Sequence, residues 1–123
     1  MQKRIKSLII GLGNIGLYYD YFNYKKSYRT HSSTINNHIN YDLLCGIDLK
    51  KKNRIMFEKK YLKKTYSSLD LTLKEKKFDL IIISYDCKNF IKLILKILSY
   101  NHPKFILFEK PFVKNLDEFI RVK

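Results

Sequence analysis

Apolar residues along this chain fall into two kinds of stretch that alternate from end to end. Continuous runs cover residues 5–10, 42–47, 80–84 and 105–108, with Thr65 and Tyr66 as a shorter candidate. Runs of roughly four to eight apolar residues suit strands buried on both faces, as in parallel sheets. Between them lie stretches with helical spacing. Over residues 50–62 the spacing turns Ile55, Met56 and Leu62 toward a sheet and the lysines toward water. Over residues 90–98, Phe90, Ile91, Ile94, Leu95 and Leu98 form one broad face, with Lys92 and Lys96 opposite and His102-Pro103 as the stop. Shorter helical pieces are predicted over 30–38 and 69–76, and another from near Asn14 toward Tyr19. Residues 20–29 are polar and aromatic without a period and read as an inserted loop. Asn115 suits an N-cap, and Asp117 and Glu118 a first turn, for a last helix.

Strands that alternate with amphipathic helices predict an α/β domain with a mostly parallel sheet covered on both faces. The expectation is a Rossmann-like, doubly wound fold of about five strands in the order 3-2-1-4-5, with residues 1–123 as one domain and no second domain. A chain of 123 residues is long enough to bury one core without disulfide or metal staples.

The first strand runs straight into Gly11-Leu12-Gly13-Asn14-Ile15-Gly16, a G-x-G-x-x-G motif placed to open a helix. Each glycine has a physical task. Gly11 permits the tight turn out of the strand. Gly13 allows a pyrophosphate to approach the backbone. Gly16 allows close packing of helix on sheet. Free N–H groups around Asn14 and Ile15 would then bind phosphate. Three of the chain's four glycines stand in this motif. Asp48 closes the second strand, where a carboxylate can accept hydrogen bonds from the adenosine ribose hydroxyls. Its distance from the glycines exceeds the usual roughly twenty residues, and the inserted loop accounts for the excess. An acid there favours NAD, because it repels a 2′-phosphate. Lys50, Lys51, Lys52 and Arg54 can screen that charge, so NADP stays open. Asp48 can also serve as an N-cap for the helix that follows, and the two roles are compatible.

Glu109-Lys110-Pro111 stands at the carboxyl end of the fifth strand, the end at which doubly wound sheets bind ligands. A lysine there can exchange a proton with a substrate hydroxyl or carbonyl. Taken in order, SLIIGLGNIG, LLCGID, FDLIIIS and FILFEKPFVKNLDE resemble the glucose–fructose oxidoreductase and inositol dehydrogenase (Gfo/Idh/MocA) family over nearly the whole chain. The resemblance implies NAD(P)-dependent hydride transfer on a sugar or polyol. It implies Lys110 as the catalytic lysine, Glu109 and Ser84 on the nicotinamide side of the cofactor, and His31 near the cofactor cleft. The sequence departs from the family at Tyr85-Asp86-Cys87, where a Thr-Pro turn is common. The chain also corresponds only to the family's cofactor domain, so a truncated or partial form is expected, with a substrate bound only if a second domain or a partner is supplied. The alternative is a non-catalytic nucleotide-binding module that works through a partner chain. An unpaired fifth strand would invite self-association.

Composition changes this picture little. The net charge of +14 comes from lysines spread along the chain, with no zinc-finger, RRM-like or helix-turn-helix pattern, so no nucleic-acid partner is expected. Cys45 and Cys87 form no CxxC pair and no metal spacing with the histidines, so they read as reduced thiols and no metal is expected. The apolar stretch after Lys6 is broken by glycines and lacks a cleavage site, and no run approaches a membrane span. A cytoplasmic protein is the expectation.

Overall fold

The computed structural model describes residues 3–18, 20–22, 29–85 and 88–108. Its strands are β1 (Ile5–Ile10), β2 (Tyr41–Ile47), β3 (Lys64–Tyr66), β4 (Leu80–Ile83) and β5 (Phe105–Phe108). They form one sheet, every neighbouring pair parallel, in the order β3-β2-β1-β4-β5. The Rossmann-like order expected from the sequence is the one observed. Parallel neighbours cannot be joined by a tight turn, so helices carry the crossovers. These are α1 (His31–Asn37) before β2, α2 (Lys51–Tyr61) before β3, α3 (Leu69–Glu75) before β4 and α4 (Phe90–Tyr100) before β5. The piece expected to begin inside the glycine motif, near Asn14, is a five-residue π-helical turn, Asn14–Tyr18.

Each face of the sheet carries its own core. Leu8, Ile10, Cys45, Ile47, Ile81 and Ile83 pack on one side against Leu73, Phe78, Leu93 and Ile97, which belong to α3, α4 and the approach to β4. Ile9, Leu43, Leu80 and Ile82 pack on the other against Leu12, Leu17, Ile35, Phe57 and Tyr61. Strand parity should put Leu43 and Cys45 on the same side. They lie on opposite sides because the β1–β2 register shifts between Ser7 and Leu8: Ser7 pairs with Leu43, and Leu8 with Cys45. Burial pushes the Cys45 thiol up to about 12, so it stays protonated and packs as a small apolar group.

Two helix faces differ from the pattern read in the sequence. In α2 the residues that reach the sheet are Phe57 and Tyr61, with Met56 beside them, while Ile55 is exposed. Leu62 is 86% exposed because the helix has already ended there, in a left-handed turn with φ 57°. In α4, Phe90, Leu93 and Ile97 are buried and Ile94 packs beside them, whereas Leu95 and Leu98 face solvent. Among the described residues, no helix is long and apolar enough to cross a membrane.

Candidate functional site

Strand order reverses at β1, whose two neighbours lead off to opposite sides of the sheet. Open α/β sheets have a crevice at such a point, outside the carboxyl ends of the strands. The glycine motif lies there. Gly11 leaves β1 with φ 98°, a conformation closed to other residues at ordinary cost. Its N–H donates to Ile47 O at 2.8 Å, and Ser84 N–H donates to Ile10 O at 2.9 Å. The turn is thus tied to the ends of β2 and β4 together.

The other two motif glycines differ in what surrounds them. A Cβ on Gly16 would lie 2.2 Å from Gly11 O and 2.7 Å from Ser84 Oγ, so packing within the protein demands glycine. A Cβ on Gly13 would meet no protein atom within 4 Å. Among the described residues no packing contact requires a glycine at Gly13, and the space beside it is open. The backbone beside it is also short of acceptors. Leu12 N–H donates to Asp48 Oδ2, and the N–H groups of Leu17 and Tyr18 both donate to Gly13 O. The four N–H groups between them, on half-buried Gly13, exposed Asn14, half-buried Ile15 and buried Gly16, have no acceptor among the described residues. Consecutive unpaired amides make an anion-binding concavity.

Asp48 follows β2 directly and braces this turn. Oδ2 accepts from Leu12 N at 2.8 Å and from Asn53 Nδ2 at 3.2 Å, and Oδ1 accepts from Lys50 N at 2.8 Å. The cap residue of α2 is Lys50, held through that last bond. Tyr18 donates its phenol to Asn53 Oδ1 at 2.6 Å. Burial, and then the charge of Asp48, raise the Tyr18 phenol above its ordinary value, so it stays a donor. The Arg54 guanidinium donates to Asp48 O and Leu49 O at 2.8 and 2.9 Å and so fixes the backbone around the carboxylate. Asn53 and Tyr18 were not singled out in the sequence, and Arg54 was read there only as a charge that screens a 2′-phosphate, not as a clamp on the backbone at Asp48. Only the proximity of Asn53 and Arg54 to Asp48 hinted at them.

Ser84 is buried under the turn, where its hydroxyl donates to Gly11 O. Tyr85 lies over Gly11, with side-chain atoms 3.0 and 3.2 Å from where a Cβ there would stand. The inserted loop is pinned at its base by Asp20, which is 3% exposed. Its carboxylate accepts from the N–H groups of Arg29 and Thr30 and the hydroxyls of Thr30 and Ser33. Burial pushes this carboxyl up. The bonds from Ser33, Arg29 and Thr30 outweigh that and hold it below its ordinary value. Ser32 donates to Gly16 O, which docks α1 on the glycine turn and places half-buried His31 one residue from that contact. His38 accepts from Asn40 N–H and meets Tyr41 edge-on, as part of the turn into β2. Glu109, Lys110, Cys87 and the helix expected from Asn115 lie outside the described residues.

Fold and site define a Rossmann-like domain with an anion-receptive glycine turn at the switch point of its sheet. Solved structures that share this fold include several dehydrogenases. Scyllo-inositol dehydrogenase from Lactobacillus casei is 17% identical, with a TM-score of 0.73, over 98% of this chain and 32% of its own. The WlbA dehydrogenase from Bordetella pertussis, solved with NADH and UDP-GlcNAcA, is 15% identical at TM-score 0.74, over 98% of this chain and 31% of its own. Myo-inositol 2-dehydrogenase from Lactobacillus plantarum is 16% identical at TM-score 0.70. The chain thus spans about a third of the length of these structures. No family model matches it, and no curated protein matches its sequence.

Proposed function

We propose that this chain binds a nicotinamide dinucleotide, NAD in preference to NADP, as the cofactor domain of an oxidoreductase of the Gfo/Idh/MocA kind. The observation that carries this reading is the unpaired amide run from Gly13 to Gly16 beside a glycine whose missing Cβ no protein atom requires. A pyrophosphate fits such a cradle, because it brings diffuse negative charge to several N–H donors at once. Gly11, Gly13, Asn14, Ile15 and Gly16 supply the backbone. Asp48, with three of about four acceptor positions filled, keeps one for a ribose hydroxyl. Ser84 and Glu109 are assigned to the nicotinamide side, and Lys110 to the proton of a substrate hydroxyl; motif and strand-end position support these three.

When bound, the nicotinamide supplies the hydride donor or acceptor. The substrate class, a sugar or polyol, rests on the motif resemblance and on the dehydrogenases that share the fold. Titration of the full chain with NADH, followed by nucleotide fluorescence, tests the reading. Saturable binding that NAD competes away is expected. A chain that binds neither NADH nor NADPH overturns it.

A further inference from the structure

The carboxylate of Asp48 is the end of a directed chain of hydrogen bonds that begins on another element. A carboxylate only accepts, so the Asn53 group facing it at 3.2 Å must be the amide NH2. The Asn53 carbonyl then faces Tyr18, and the Tyr18 hydroxyl must donate to it, at 2.6 Å. Tyr18 closes the π-helical turn that begins inside the glycine motif, and Asn53 lies in the first turn of α2. The chain therefore spans from the glycine turn, through α2, back to the end of β2.

The two oxygens of Asp48 are loaded unequally. Oδ2 takes both Leu12 N–H and the Asn53 amide, whereas Oδ1 takes only Lys50 N–H. Without Asn53 the carboxylate keeps one backbone donor on each oxygen, both at 2.8 Å, but loses its only side-chain donor and the unequal loading that leaves Oδ1 with the spare acceptor position. With Asn53 the spare acceptor capacity lies on Oδ1.

We propose that Asn53, oriented by Tyr18, is a positioning residue that sets dinucleotide selectivity by holding Asp48 with Oδ1 turned to the adenosine ribose. This rests on the dinucleotide reading above. A fixed Oδ1 accepts a ribose 2′-hydroxyl and repels a 2′-phosphate at the same point. A carboxylate held by its two backbone donors alone, with spare capacity on both oxygens, does both less well, so losing the brace weakens NADH and relieves NADPH.

The test measures Kd for NADH and NADPH on the full-length wild type, Asn53→Ala and Tyr18→Phe, in one buffer. The wild type is expected to prefer NADH. Asn53→Ala should shrink that preference by roughly five- to tenfold, less than the full worth of a hydrogen bond to a charged group because the bond acts on the nucleotide only through Asp48. Tyr18→Phe should shift the ratio the same way by a smaller factor, and it carries the test alone if Asn53→Ala melts below the assay temperature. A merely structural role lowers both affinities together and leaves the ratio unchanged. An unchanged ratio in the variants that fold overturns this proposal and leaves dinucleotide binding standing. A wild type that binds neither nucleotide overturns both.

Discussion

Gly13 and Gly16 stand three residues apart and answer to different constraints, so one methyl group separates them. Gly16→Ala forces a Cβ against Gly11 O, a backbone atom that cannot swing aside. It should lower the melting temperature by several degrees, as strain of about 1–3 kcal/mol does in a domain of this size. Gly13→Ala meets open space and should leave melting within about 2 °C while weakening NADH at least about tenfold, through intrusion on the pyrophosphate. If Gly13→Ala binds NADH as well as the wild type does, the cradle is misassigned. Asp20 offers a second test at this scale. Its carboxyl is depressed in the folded protein, so its contribution is present above the unfolded value and is lost as pH falls through the folded one. Melting temperature measured from about pH 5 down to about pH 2.5 should therefore fall more steeply for the wild type than for Asp20→Asn, which starts lower. Parallel acid limbs would count against that role. Tyr61 is a third. Its hydroxyl is buried without a well-formed hydrogen bond among the described residues, and burial, then the charge of Asp20, pushes it up to about 12 against a weaker opposing interaction with Thr30. Tyr61→Phe removes an uncompensated polar group and should raise stability by about 1 kcal/mol in denaturant unfolding.

Among the elements, α2 ends on a residue unsuited to its place. Leu62 adopts a left-handed conformation with its side chain in solvent. Leu62→Gly should add about 1 kcal/mol, visible as a higher denaturation midpoint at unchanged slope. In α4, Leu93→Ala should cost about 2–4 kcal/mol and Leu95→Ala less than about 0.5, because Leu93 is buried and Leu95 is 62% exposed. Equal costs would mean that the sheet-facing side is wrong. The sequence alone reversed part of this choice. The stretch FIKLILKIL is apolar nearly all round, so spacing cannot select between a face through Leu93 and Ile97 and one through Leu95 and Leu98. The strands were legible because a continuous apolar run needs no phase. Gly11, Gly13, Gly16 and Asp48 were legible because a turn and a strand end carry fixed chemistry at fixed offsets. The Tyr18–Asn53 link was not, since it joins residues 35 apart that meet only after β1 and β2 have paired.

Over the whole molecule, the net charge of +14 sets a field that favours any anion. NADH affinity should fall a few-fold between about 20 and 300 mM salt as screening shortens to within a few ångströms. Salt-independent binding would point to a site that does not engage the phosphates. At the sheet's margin, β5 pairs with β4 alone among the described strands, and Phe105 and Leu107 are 62% and 47% exposed. Such an edge invites pairing. Sedimentation velocity should show concentration-dependent association that Leu107→Lys weakens; a monomer at every concentration would contradict this. The brace on Asp48 has a consequence of a historical kind. The carboxylate that would greet the cofactor also secures the amide of Leu12 and the entry to α2. On the proposed reading, a descendant lineage could not adopt the phosphorylated dinucleotide by exchanging Asp48 alone, since that exchange would also loosen the glycine turn it braces. A substitute acceptor for the backbone amides of Leu12 and Lys50 would have to come first, which would make such a preference slow to drift.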